Sequence, residues 1–325
     1  MRQRRFQNSV CQSAATLPVS IAVGALLWFL TPASDACSSI SLDVTPYGVA
    51  AIVAYVMAIY IIMETNNQNA LIRVRTRIVS AIWALLIGIL PSAHHLSGGL
   101  CAALGLAASH HLLFRSYQKF QPVTDVFHAF AFYGIACIAM PQLVVLIPLY
   151  YWYLIVFMRC ITWRVFWAGV VGMLTPMWLM FGYCILTGSW EYVFDRVEVL
   201  ADSFRPDIAD WACLLSWSSP GVLVFAFLTL TGFLGIVHFM QSRYDDKIRT
   251  RMLLYIYVWQ SVGVWLVTVF NPSVYEEFIP SLVVCLSPIL AHHFALTNRV
   301  VTNVYFCLCL MTAVIIAFLN YGISY

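Results

Sequence analysis

A chain of 325 residues that is 62% hydrophobic and only 10% charged carries more apolar surface than one soluble core could hide. Its mean hydropathy is +0.84, and its runs of roughly 17 to 22 mostly apolar residues suit the ~30 Å hydrocarbon core of a bilayer. Such runs exclude a soluble domain and a β-barrel and require helices, since only a helix satisfies its own backbone in lipid. The 17 Lys and Arg against 14 Asp and Glu leave a net charge of +3 with no basic domain, so no nucleic-acid partner is expected.

In chain order, the basic flank Met1-Arg2-Gln3-Arg4-Arg5 precedes a first apolar span over 14–30. A cleaved signal peptide ending at Ser34-Asp35-Ala36 is the alternative, but the many later spans make a retained helix the simpler reading. A short polar loop over 31–46 leads to spans at 47–63, 78–91 and 98–114. The fourth is rich in small residues, among them Gly98, Gly99, Ala102, Ala103 and Gly105, which let backbones approach closely and place it inside the bundle. Spans at 123–140 and 142–158 form a hairpin with Pro141 at its turn, and further spans follow at 165–186, 220–240, 252–270, 281–296 and 300–319. Pro18, Pro148, Pro176 and Pro288 fall within spans and are expected to kink them.

This pattern predicts an all-α, polytopic helical membrane protein of about eleven transmembrane helices, forming one domain over 1–325. Threading it with the N-terminus in the cytoplasm puts every Lys and Arg except Arg196 and Arg205 inside, as the positive-inside rule requires. Of the 14 carboxylates only Glu64, Asp125, Asp245 and Asp246 fall inside, and the C-terminus lies outside, in the periplasm.

The long outer loop, 187–219, holds an amphipathic pattern over about 190–204. Trp190, Val193, Phe194, Val197, Leu200 and Phe204 share one face, while Glu191, Asp195, Glu198 and Asp202 share the other. A helix lying on the outer membrane surface explains the stripe as solvation. Alternatively, Glu191, Arg196 and Arg205 form the mouth of an outward-facing cavity, the arginines offering planar forks of donors to phosphate.

Six histidines, His110, His111, His128, His238, His292 and His293, map near inner span ends, and His94 and His95 near an outer one. Adjacent histidines point about 100° apart on a helix. The histidines therefore read as interfacial or packing residues against a metal or haem alternative; no metal ligand set is assigned and no cofactor is identified. Most of the ten cysteines lie in apolar segments and read as small packing groups. Only Cys37 and Cys213 share an aqueous side, where a disulfide between them stays open.

The hairpin from Gly134 to Pro141, the basic turn Arg159-Cys160-Ile161-Thr162-Trp163-Arg164, then Gly172, Pro176 and Tyr183 before Gly188-Ser189-Trp190, together resemble an uncharacterised family of multi-pass inner-membrane proteins from Bacteroidetes. The turn Asn66-Asn67-Gln68-Asn69 is compatible with that family. The resemblance implies a bacterial inner-membrane location and names no reaction. The same block is similar to the middle of membrane glycosyltransferases that use polyprenyl-phosphate sugars. In that family an acidic residue of the first external loop serves as base or metal partner, and the matching positions here are Asp43 and Asp35, in a loop shorter than the family's.

The expected function is therefore a role in envelope glycan or lipid metabolism, glycosyltransferase-like, on a polyprenyl-linked substrate. Asp43 would act as general base, with Arg196 and Arg205 holding phosphate. The alternative is a non-enzymatic scaffold or assembly partner for other envelope membrane proteins. A transporter ranks third, because no span centre carries Asp, Glu, Lys or Arg.

Overall fold

The computed structural model describes residues 5–30, 46–202 and 220–322, and all regular structure among them is helical. The chain opens with α1 (Phe6–Gln12) and α2 (Thr16–Leu30), which meet at an angle of 89°. Extended backbone at Ser13 makes the corner, and the Thr16 hydroxyl donates back to the Val10 carbonyl across it. Then come α3 (Pro46–Asn69), α4 (Ile78–Gly88) and α5 (Gly98–Phe114), the last capped by Ser97, whose hydroxyl accepts from the Leu100 N–H at 3.2 Å.

α5 packs inside the bundle, as its small residues require. A Cβ on Gly99 would sit 2.2 Å from the Glu277 carbonyl oxygen, and one on Gly105 would sit 2.9 Å from that of Phe132. α6 (Val123–Ala139) and α8 (Trp163–Thr187) approach in the same way, since a Cβ on Gly172 would meet the Phe127 carbonyl at 2.3 Å. Gly188, at φ 70°, ends α8 in the left-handed region that a side chain would strain.

Between them the sixth apolar stretch is not one continuous α-helix. It starts as a 3-10 turn, Pro141–Leu146, and becomes α7 (Ile147–Val156). Pro148 has no N–H to give the Val144 carbonyl four residues back, so that carbonyl accepts from Ile147, three residues on. The outer-loop stripe forms α9 (Trp190–Asp202), followed by α10 (Pro220–Ser242), α11 (Ile248–Phe270), α12 (Tyr275–Leu296) and α13 (Val300–Gly322).

Six of these helices, α3, α8, α10, α11, α12 and α13, are long and apolar enough to cross a membrane, and the bent pair α1 and α2 makes a seventh. α4, α5, α6 and the stretch Pro141–Val156 are shorter apolar helices, and each lies on an apolar stretch recognised in the sequence. This all-helical fold is compatible with a polytopic helical membrane protein.

Polar contacts tie the helices together at both ends. At the basic end Arg249 donates to Asn69 at 2.9 Å, Thr76 to the Cys11 carbonyl at 2.5 Å, and the Gln118 N–H to the Met158 carbonyl at 3.0 Å. Gln7, buried on α1, donates to the Phe294 carbonyl at 2.5 Å and the Thr297 hydroxyl at 2.9 Å, closing the C-terminus of α12. At the opposite end Glu276 and Glu277 occupy the first turn of α12, where the helix dipole favours carboxylates.

Candidate functional site: an apolar groove with a buried polar end

A cavity of 420 Å³ runs between α2 and α4 on one side and α10 and α13 on the other, with α12 behind it. Val19, Val23, Ile82 and Leu85 line one wall, Phe227, Leu310 and Ala313 the other, and Leu290 and Phe294 the back. Val19 and Val23 are exposed at the rim, so the cavity is a groove open on the bundle's outer, apolar face. Ser20, Thr16 and Thr231 add hydroxyls to the lining. The Thr231 hydroxyl donates to its own helix, to the Phe227 carbonyl at 2.7 Å, so the wall it presents is greasy.

Toward the basic end the groove's helices turn polar. His238 lies seven residues beyond Thr231, hence on the same face of α10, and Tyr305 lies one turn before Cys309 on α13. The His238 and His293 rings meet edge to face at 4.4 Å, His238 and His292 at 5.9 Å, and His293 and Tyr305 at 5.6 Å. Phe294, which lines the groove, touches both Tyr305 and Phe306, so the aromatic wall continues into this cluster.

Behind the histidines sits Asp246, just past α10, with its side chain wholly shut off from solvent. Its Oδ2 lies 2.8 Å from His292 Nε2, and its Oδ1 lies 2.7 Å from Arg73 Nε. Arg73 also reaches Asp245 at 3.9 Å. Burial alone would raise the Asp246 pKa, but the hydrogen bond and charge of His292 and then of Arg73 outweigh it and hold the carboxyl below its usual value. Because a carboxylate only accepts, His292 Nε2 is the donor in this pair. His292, His238 and His293 Nδ1 are all buried without a partner.

A carboxylate that orients an imidazole is the geometry of an activated base. His292, however, is fully buried and His293 nearly so, so any group outside the core meets the half-buried His238 first. Among the described residues no group of three or more His, Cys, Asp or Glu side chains is arranged to hold a metal ion.

A second buried polar region lies in the bundle centre. Tyr133 donates to the Leu143 carbonyl at 2.7 Å and Tyr153 to Gln260 at 3.0 Å, while His110, unpartnered at both nitrogens, stacks against Tyr150 at 6.0 Å. These groups face one another inside packed aromatic rings and line no part of the groove.

Of the residues singled out in the sequence, Glu191 and Arg196 lie on α9, away from the groove and the histidines. Glu191 is exposed. Arg196 Nη1 donates to the Ala139 carbonyl at 3.3 Å, and its guanidinium lies 4.8 Å from the Tyr192 ring centre. Asp35, Asp43 and Arg205, like Cys37 and Cys213, lie outside the described residues. The eight described cysteines are free, in keeping with their reading as packing groups. Sequence reasoning noticed the depth shared by His238, His292 and His293 but not their convergence, and counted Asp246 only as a cytoplasmic carboxylate. A carboxylate directly after one apolar span and a histidine pair ending another at the same membrane level was the available signal.

The chain matches no family model, no curated protein and no solved structure.

Proposed function

We propose that this chain is a bacterial inner-membrane protein of envelope glycan or lipid metabolism that binds a lipid-linked substrate, of polyprenyl type, with the lipid chain lying in the groove. One observation carries the reading: a groove of 420 Å³, within the range of small-ligand sites and almost wholly apolar, opens sideways from helices built to stand in lipid. In that setting its natural occupant is a lipid chain. The eleven apolar helical stretches are eleven crossings in this reading, with the basic end in the cytoplasm as the Arg and Lys distribution favours. The groove then draws its ligand from the cytoplasmic leaflet. Lipid binding is separate in this reading from any transfer step, for which Asp43 or Asp35 would be the base and Glu191, Arg196 and Arg205 the substrate-binding residues.

Ala313→Phe, at a half-buried wall position, fills the groove without disturbing α12. Native mass spectrometry of the full chain in nanodiscs should show a polyprenyl phosphate bound to the wild type and lost from this variant. Equal retention by both, or none by the wild type, would remove the lipid reading. A non-enzymatic assembly role is favoured by a different observation: only 22% of the apolar stretch of α8 and 17% of that of α13 is buried, leaving two long flanks for other membrane helices.

A further inference from the structure

Next to the groove, at the basic end of the helices that line it, lie more unsatisfied polar groups than packing alone explains. His293 is 8% exposed, yet its Nδ1 has no partner, and the same is true of His238 Nδ1. Native interiors leave few such atoms unpaired, and those that remain call for a ligand, an ion or water. Three side chains from α10, α12 and α13 thus converge at one level, 4.4 Å and 5.6 Å apart ring to ring. Arg299, exposed at the turn between α12 and α13, lies within electrostatic reach of His238. Asp246 also reaches His238, but its charge is already engaged by Arg73 and His292. The local balance therefore favours an anion.

We propose that His238, His293 and Arg299 form a phosphate-binding subsite that receives the headgroup of the lipid whose chain fills the groove. The proposal rests on the lipid reading above. Imidazole N–H groups and a guanidinium are donors that phosphate oxygens accept from, and an arginine at the membrane interface meets a headgroup without leaving water. Tyr305 packs against His293 and helps to hold its ring in place. The pair Asp246 and His292 acts as positioning residues: His292 packs against His238, and its own proton is committed to Asp246. The ligand class follows from the two parts of the site, a single apolar chain ending in a phosphate.

The test compares a polyprenyl phosphate with its parent polyprenol, titrated against the full chain in phosphatidylcholine nanodiscs, for the wild type, Arg299→Ala and the double variant His238→Ala/Arg299→Ala. The wild type should prefer the phosphate by about tenfold or more, the scale of one or two charge-assisted hydrogen bonds. The double variant should bring that ratio close to one while binding polyprenol as before, which also shows that it is folded. Should the double variant lose polyprenol as well, the single change at exposed Arg299 decides, with a reduced ratio expected and an unchanged one overturning the subsite. Equal wild-type affinity for the two lipids would overturn the subsite and leave the lipid-chain reading standing. Binding of neither lipid would remove both. Saturation of the wild type by inorganic phosphate, with no gain from the attached chain, would show a free-anion site and overturn the link to the groove.

Discussion

α12 and α13 are neighbours in sequence, similar in length, and both long and apolar enough to cross a membrane, yet 94% of the apolar stretch of α12 is buried against 17% of that of α13. α13 is the more apolar of the two, so hydropathy does not rank helices by depth in the bundle. What separates them is the polar cargo. α12 hides Ser281, Ser287, His292 and His293, the histidines above all being groups that are costly on a lipid-exposed face. α13 turns Val301, Val304, Leu308, Met311 and Phe318 outward, and these are at home in hydrocarbon. In a bilayer the inside is marked by what must be kept from lipid, the reverse of the soluble case.

That contrast can be broken most forcefully at Asp246. Asp246→Asn removes the charge that Arg73 and His292 share and should cost about 3 kcal/mol, the low end for opening a buried pair, because Arg73 is partly solvated. Thermal unfolding of the protein in detergent measures it. The pH dependence has a definite sign. A carboxyl whose folded value lies below its unfolded value of about 4 stabilises fully above that pH. The stabilisation is lost as pH falls through the lowered folded value, so acid should destabilise the wild type more than Asp246→Asn.

A smaller loss is expected where α5 meets α12. Gly99→Val places a side chain against the Glu277 backbone and should cost about 1–3 kcal/mol by overpacking, read as a lower melting temperature. At the other extreme, Val301→Ala on the lipid-facing flank of α13 should stay within about 0.5 kcal/mol. A large effect there would show that α13 is covered by a partner, and would move weight to the assembly reading.

Helix positions were legible because each apolar run is long and locally complete, and α9 because its two faces repeat at helical spacing. The interior place of α5 followed from its glycines and alanines. The depth of α12 did not, since its serines and histidines are few and its neighbours come from distant parts of the chain. The 3-10 start of the sixth stretch hid behind Pro148, which reads as a kink but acts on the Val144 carbonyl four residues earlier. The polar end of the groove was legible only by depth: His292 meets Asp246 from 46 residues away, and no local pattern joins them. The groove itself has no signature, because its walls run from Val10 to Ala313.

Gln7 and Phe294, joined by one hydrogen bond across 287 residues, set an order of events on the ribosome. α1, α2 and α4 leave the exit tunnel early, with one wall of the groove already made and facing nothing but lipid. The back and the far wall arrive only with α10, α12 and α13, and Gln7 then finds the last carbonyls of α12. Contacts this distant close late and slowly. Until the final helix is threaded, the half-built wall faces the bilayer chains, so on the lipid reading the completed groove would start out filled with lipid and take up its proposed ligand by exchange.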